Sequence, residues 1–348
     1  MNPAAMSIII ASLGLGTTIT FMSSHWLLAW MGLEINTLAI IPLMLKNHHP
    51  RAAEASTKYF LTQATAAALI LFSATMNAWS TGMWEIQQMS DQIATTTTTL
   101  ALGLKLGLAP MHFWLPEVLQ GLDLTTGLIL STWQKMAPMA LIYQLSQEMN
   151  QELLVALALL STLVGGWGGL NQTQVRKIMA YSSIAHMGWM MIVLKYSPNL
   201  MLMTLMIYII MTSTAFMILN ATSATKINTM ALTWTKAPVV MTMMMITLMS
   251  LGGLPPLTGF MPKWLIVQEI TKQGLHLAAT IMMFAALLSL FFYLRMCYAM
   301  TLTIFPNINN MKTSWRSPLM KKTIPLSIMM VLTAMTLPMT PTMLVIAT

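Results

Sequence analysis

Apolar and polar positions divide the chain into long hydrophobic runs separated by short polar or charged joints. Eleven runs stand out, at about 4–22, 26–45, 58–79, 97–117, 125–146, 153–171, 177–194, 200–221, 239–270, 276–298 and 323–343. A transmembrane helix needs about 20 mostly apolar residues, and most of these runs supply them. No joint is long enough to hold soluble domains apart; 300–322 is the longest. The Thr run Thr95–Thr99 reads as the start of a helix rather than as low complexity. The pattern predicts an all-α, polytopic membrane protein of about 11 transmembrane helices, one membrane domain over 1–348.

Two runs cannot be straight helices. Leu100 to Gln120, LALGLKLGLAPMHFWLPEVLQ, carries Lys105 near its middle and Pro110 and Pro116 inside it. Proline removes a backbone donor and clashes with the preceding turn. At membrane depth the freed carbonyls are tolerated only inside protein or against a wet cavity. The run 239–270 is too long for one crossing and reads as one span broken at Pro255-Pro256, its second half carrying Lys263. The breaks match: Gly107-Leu108-Ala109-Pro110, five residues, then Pro116-Glu117, against Gly253-Leu254-Pro255-Pro256, five residues, then Pro262-Lys263. Interrupted spans at corresponding places in two halves point to the ion pathway of a transporter.

Composition narrows the class. The chain is 56% hydrophobic and 7% charged, where soluble domains average about 25% charged. The single Cys297 offers no disulfide or metal framework. Without a Gly-rich phosphate loop, a CxxC pair or an HExxH motif, nothing visible would hold a nucleotide or a redox cofactor. The basic balance, 17 Lys+Arg against 9 Asp+Glu, reads as topology rather than nucleic-acid binding. If the N-terminus lies on side A, that side's loops carry Lys46, Arg51, Lys58, Arg176, Lys177, Lys226, Lys236, Lys312, Arg316, Lys321 and Lys322, and side B only Lys195 and Lys272. Acids lean the other way, with Glu85, Asp91, Glu148, Glu152 and Glu269 on B against Glu54, Glu117 and Asp123 on A. A miscounted helix would scramble this split, and basic loops stay inside, so side A is the matrix or cytoplasm and the C-terminus lies opposite. No basic presequence precedes the first span, so the N-terminus is expected to be the mature one. Packing gives no reason for 39 methionines.

Four ionisable residues fall well within spans: Glu34, Lys105, Lys135 and Lys263. Each costs roughly 2.5–3.5 kcal/mol to insert, which makes four accidents a poor explanation. Snorkelling, with the stem along apolar surface and the charge at the interface, suits Arg295 near the end of its span but not Lys135, mid-span in 125–146. Burial disfavours a charged amine and a nearby carboxylate favours it again, so a carboxylate–lysine pair of variable separation is a proton switch. Glu34 beside Lys105 would make that switch, with Lys135 in reach to accept. Half-helix ends add partial charges and open carbonyls for ions or water. His112, at the first break, and His186, in Ser182-Ser183-Ile184-Ala185-His186, lie at membrane depth and are softer candidates, since a lone His is usually structural. His25, His48, His49 and His276 read as interfacial. Trp114, Trp133, Trp167, Trp189 and Trp264 read as packing or belt aromatics, and Gly165-Gly166-Trp167-Gly168-Gly169 as close helix packing.

Three stretches, GLKLGLAPMHFWLPEVLQG (103–121), QTQVRKIMAYSSIAHMG (172–188) and SLGGLPPLTGFMPKW (250–264), resemble the antiporter-like membrane subunits of respiratory complex I. The resemblance covers essentially the whole chain, and the length and Met-Asn-Pro start look like a mammalian mitochondrial form. It implies two inverted five-helix repeats, about 4–146 and 153–298, each with a Pro-broken helix, followed by a C-terminal helix at about 323–343. It implies a place in the mitochondrial inner membrane, N-terminus toward the matrix and C-terminus toward the intermembrane space. Synthesis from the mitochondrial genome, where an isoleucine codon is read as methionine, would account for the Met excess. Other members have fourteen helices, and the animal form lacks the first three. The implied role is proton translocation coupled to NADH:ubiquinone oxidoreduction in other subunits. Flavin, iron–sulfur clusters and ubiquinone would then sit in those partners and no cofactor in this chain. Expected partners are other membrane-arm subunits, including neighbouring antiporter-like ones, and membrane lipid with cardiolipin as a candidate; nucleic acid is not expected. Matched residue by residue, Glu34 takes the family's acidic position, Lys105 the broken-helix lysine paired with it, Lys135 the central lysine and Lys263 the last relay residue. Many members carry a further lysine where this chain has His186, so whether His186 or water carries protons between the halves stays open. Two other readings stand beside the relay subunit: a free-standing cation/proton antiporter of the same ancestry, and a structural subunit whose buried charges only lock helices together.

Overall fold

The structure is a computed structural model that describes residues 2–46, 48–234, 237–302, 323–339 and 342. Lys236, Lys312, Arg316, Lys321 and Lys322, most of the joint 300–322 and the end of the run 323–343 lie outside the described residues. Among the described residues the chain is helical, with isolated bridges at His25–Glu85 and Gln174–Lys226 and no strand. Six helices are long and apolar enough to cross a membrane by length and composition. The chain forms two compact units, residues 1–161 and 162–348.

The first unit contains α1 (Pro3–Met22), α2 (Trp26–Met44), α3 (Pro50–Thr81), α4 (Gln92–Leu106), α5 (Trp114–Gly121), α6 (Leu124–Ser131), α7 (Trp133–Gln144) and most of α8 (Gln151–Gly169). Helix starts leave backbone N–H groups without partners, and short polar side chains fill them. Asn2 Oδ1 accepts from Ala4 N at 3.2 Å and Asp91 Oδ1 from Ile93 N at 3.3 Å. Two histidines do the same: His25 Nδ1 accepts from Leu27 N at 3.2 Å and His49 Nδ1 from Arg51 N at 3.1 Å. Both are therefore helix caps. The run 125–146 is not the single straight helix expected of it. It breaks at Thr132 (φ −112, ψ −66), whose hydroxyl and N–H both turn to the Leu128 carbonyl, at 2.7 and 3.0 Å. A threonine hydroxyl competes for helix carbonyls, and Pro138 in the next turns has no N–H for the Gln134 carbonyl, so the ladder is weak from both sides.

The second unit contains the last turns of α8, then α9 (Val175–Val193), α10 (Pro198–Thr222), α11 (Ile227–Thr233), α12 (Pro238–Gly252), α13 (Phe260–Lys272), α14 (His276–Leu302) and α15 (Thr323–Met335). The short α11 occupies the stretch expected to be only a joint between 221 and 239. Most of α9 is buried, including Ser182 and Ser183. Arg295 has a hydrogen-bond partner within the second unit. It lies well inside α14, and its guanidinium donates to the Leu170 carbonyl just past the end of α8, where the helix leaves carbonyls unpaired. The tryptophans divide by environment: Trp114 and Trp189 are buried in packing, while Trp167 (75% exposed) and Trp264 (59%) point out of the protein. Outward apolar side chains such as Leu15, Phe72, Phe284 and Leu287 cost nothing against hydrocarbon.

Candidate functional site

At the first break, α4 ends on Gly107, whose φ of 79 and ψ of 40 are left-handed and open to glycine without a Cβ penalty. The N–H groups of Gly107 and Leu108 both return to the Gly103 carbonyl at 2.9 Å, closing the helix end. Residues 107–113 then run irregularly, with a cis Ala109–Pro110 bond, until α5 begins. The indole N–H of Trp114 donates back to the Leu104 carbonyl at 3.0 Å, a second donor on a group that also takes the Gly107 N–H at 3.2 Å. His112 is buried in the break, its Nδ1 3.2 Å from the Pro110 carbonyl oxygen and its ring tilted on Phe113.

Lys105 lies in the last turn of α4, where the partial negative charge of a helix end favours a cation. It is 6% exposed, and its Nζ is buried without a hydrogen-bond partner. Lys135, near the start of α7 just past the Thr132 interruption, is 3% exposed. Packing of α4 on α7 brings both lysines to one cavity of about 20 Å³, room for about one water molecule. Its polar lining also includes Asn36 and Thr37 from α2, Tyr59 and Gln63 from α3, and Gln134 from α7. Glu34 stands one step behind this wall. Thr37 Oγ1 donates to Glu34 Oε2 at 3.1 Å, and the carboxylate acts electrostatically on Lys105 without coming within the 4.0 Å of an ion pair. The expected pair is thus a near approach of two separated charges.

Glu117, at the start of α5, is turned away from this cavity. It accepts from Lys58 Nζ at 2.7 Å, and Glu54 pairs with the same amine at 2.7 Å. Glu54 and Glu117 are exposed and Lys58 is partly so.

In the second unit, α12 ends on Gly253 (φ 83, ψ 43) and the chain re-enters a helix at Phe260. Lys263, in the first turn of α13, folds back and donates to the Gly252 carbonyl at 2.7 Å, with Leu251 O at 3.5 Å. Its amine occupies the orphan carbonyl end of α12. Beside it opens a groove of about 520 Å³ whose wall is largely apolar, including Phe260, Trp264, Met283, Leu287 and Leu290. His186, half-buried on α9, lies with its ring centroid 5.5 Å from that of Tyr208 on α10, and the Tyr208 hydroxyl interacts with Ser183.

Glu34, Lys105 and Lys135 therefore gather around one place in the first unit. His112 is in the adjoining break but not on the cavity wall, while His186 and Lys263 occupy their own surroundings in the second unit. The residues that sequence reasoning passed over are neutral: Asn36, Gln63, Gln134 and Tyr59. A signal existed, since amides inside apolar runs need partners as charges do.

Residues 23–289 match the family described as the transmembrane region of NADH:quinone oxidoreductases and Mrp antiporters, and residues 290–344 match the C-terminus of NADH dehydrogenase subunit 2. NADH-ubiquinone oxidoreductase chain 2 of Salmo salar is 64% identical over 98% of both chains, and that of Carassius auratus 64% over the whole of both. These relatives are fishes, so overall length does not single out mammals. A chain of respiratory complex I from Thermus thermophilus superposes with a TM-score of 0.81 at 26% identity, covering 97% of this chain and 80% of that one. A chain of the Mrp complex from Dietzia shares the fold, with a TM-score of 0.77 at 18% identity over 85% of this chain and 60% of that one. By sequence and by fold, the chain belongs to the family of antiporter-like membrane subunits of NADH:quinone oxidoreductases, in the branch of NADH-ubiquinone oxidoreductase chain 2.

Proposed function

We propose that the chain moves protons across the mitochondrial inner membrane as a membrane-arm subunit of NADH:ubiquinone oxidoreductase, while electron transfer proceeds on flavin, iron–sulfur clusters and ubiquinone in partner subunits. The observation that carries this reading is the shared cavity: two buried lysines, one without a hydrogen-bond partner, face the same polar space inside an apolar bundle. Two like charges at once in so dry a space are costly, so a proton arriving on one amine favours its loss from the other. Glu34 is the group whose distance to Lys105 sets which amine holds the proton. A structural lock would instead join opposite charges in contact, and Lys105 is not so joined to Glu34.

The relay we assign runs from Glu34 and Lys105 to Lys135, with His112 at the break, and continues through His186 and Lys263 in a second five-helix repeat of about 153–298. The first repeat is about 4–146. The N-terminus faces the matrix, in keeping with the basic loops of that side, and cardiolipin is the acidic lipid those loops would meet. Co-purification in mild detergent tests the assignment: the chain should come out with a flavin- and iron–sulfur-containing assembly, and the isolated chain in liposomes should not exchange cations for protons. Sustained exchange by the isolated chain would instead establish a free-standing antiporter.

A further inference from the structure

Of the three amides on the cavity wall, Asn36 is the one whose side-chain nitrogen and oxygen are both fully buried without a partner. It is 1% exposed, and neither its Nδ2 nor its Oδ1 has a hydrogen-bond partner. Its backbone is fixed, because Gln134 Nε2, on the residue beside Lys135, donates to the Asn36 carbonyl at 3.2 Å. Its side chain has room only because α1 carries a glycine opposite: a Cβ on Gly16 would lie 2.5 Å from Asn36 Oδ1 and 2.9 Å from Cγ. Lys105, whose Nζ is likewise buried without a hydrogen-bond partner, lines the same cavity. Buried polar groups in folded proteins find partners, in the chain or in ordered water, and two such groups on a polar cavity of one-water size share the obvious candidate.

We propose that Asn36 is a positioning residue of the relay: its carboxamide holds the water through which a proton passes between Lys105 and Lys135. The step balances. The Lys105 ammonium gives a proton to the water oxygen, the same water gives one of its own protons to the Lys135 amine, and water is restored with the positive charge moved. An amide suits the place because it both donates and accepts and does not titrate between them. A carboxylate there would trap the charge as an ion pair, and an apolar side chain would leave the water short of the two to four partners it needs.

This inference rests on the relay reading above, so its test carries a control for that reading. Asn36→Ala, Asn36→Ser, Gly16→Ala and Lys135→Met complexes are assembled in sealed vesicles, and the protons moved per electron and the solvent deuterium isotope effect are measured. Asn36→Ala is expected to lower the proton ratio toward that of Lys135→Met and to raise the isotope effect, while Asn36→Ser, which keeps one oxygen, retains more of the ratio. Gly16→Ala, whose methyl would also meet the Gly32 backbone carbonyl of α2 at 2.9 Å, should shift both readouts in the direction of Asn36→Ala, and Asn36→Ser decides the matter should Asn36→Ala or Gly16→Ala not assemble. A low ratio in Lys135→Met with unchanged ratio and isotope effect in the Asn36 and Gly16 variants overturns the role of Asn36 and leaves the relay standing. Equal ratios for Asn36→Ala and Asn36→Ser, with only the yield of complex reduced, also overturn it. A normal ratio in Lys135→Met is the separate failure, that of the relay itself.

Discussion

The two broken helices end their leading halves alike. Gly107 and Gly253 take nearly the same backbone angles, and each Gly N–H and the following Leu N–H return to carbonyls one turn back, Gly103 in one case and Met249 in the other. Side chains meet the last-turn carbonyls differently. At the first break a neutral indole, Trp114, takes the Leu104 carbonyl, and the lysine of that turn, Lys105, stays unpartnered beside a polar cavity. At the second break the lysine itself, Lys263, takes the Gly252 carbonyl. The matched position after the first break, Glu117, is bonded outward to Lys58. The same backbone device thus presents a loosely held amine in one half and a firmly held one in the other, and only the first is poised to give up a proton without breaking a hydrogen bond.

The largest contrast should come from removing each lysine. Lys263→Met strips the α12 end of a charged donor and is expected to cost about 1.5–3 kcal/mol of stability, read as faster amide hydrogen exchange around residues 249–254. Lys105→Met removes an unpartnered buried ammonium, so exchange around 103–108 should be unchanged or slower while proton pumping falls. Equal destabilisation by both would erase the distinction. Next in size are the glycines, since alanine in a left-handed position costs about 1–2 kcal/mol. At Gly253 a Cβ also meets Lys263 Nζ at 2.9 Å, whereas at Gly107 it meets a methyl of Leu115 at 3.0 Å. Gly253→Ala should therefore lower both stability and the proton ratio, and Gly107→Ala only stability. Trp114→Phe, which removes the indole donor, is expected to cost about 0.5–1.5 kcal/mol, with the ratio intact. Smallest is Glu117→Gln on the exposed Lys58 pair, which should leave assembly and pumping at the level of the unaltered enzyme.

The breaks could be read from the chain because Pro and Gly act locally: Pro110, Pro255 and Pro256 forbid a straight helix wherever tertiary structure puts them. Glu34, Lys105, Lys135 and Lys263 were visible because a charge in an apolar run is costly anywhere along it. What stayed hidden depends on neighbours distant in sequence. Threonine is ordinary inside membrane helices, so the interruption at Thr132 shows only once its hydroxyl is seen on Leu128. The hydrogen bond from Arg295 to the Leu170 carbonyl joins residues far apart in the chain. Asn36, Gln63 and Gln134 carry no charge to mark them, and their meeting at one cavity is a product of helix packing. The histidine caps at His25 and His49 were missed for a simpler reason, since Ser, Thr, Asp and Asn are the usual residues at that position.

The central claim is that protons pass through Lys135. Its most direct test is the number of protons moved per electron by assembled Lys135→Met enzyme in sealed vesicles, compared with unaltered enzyme at equal complex content. A lowered ratio with the complex intact is the predicted result. A normal ratio would contradict the relay and leave the buried charges a structural role.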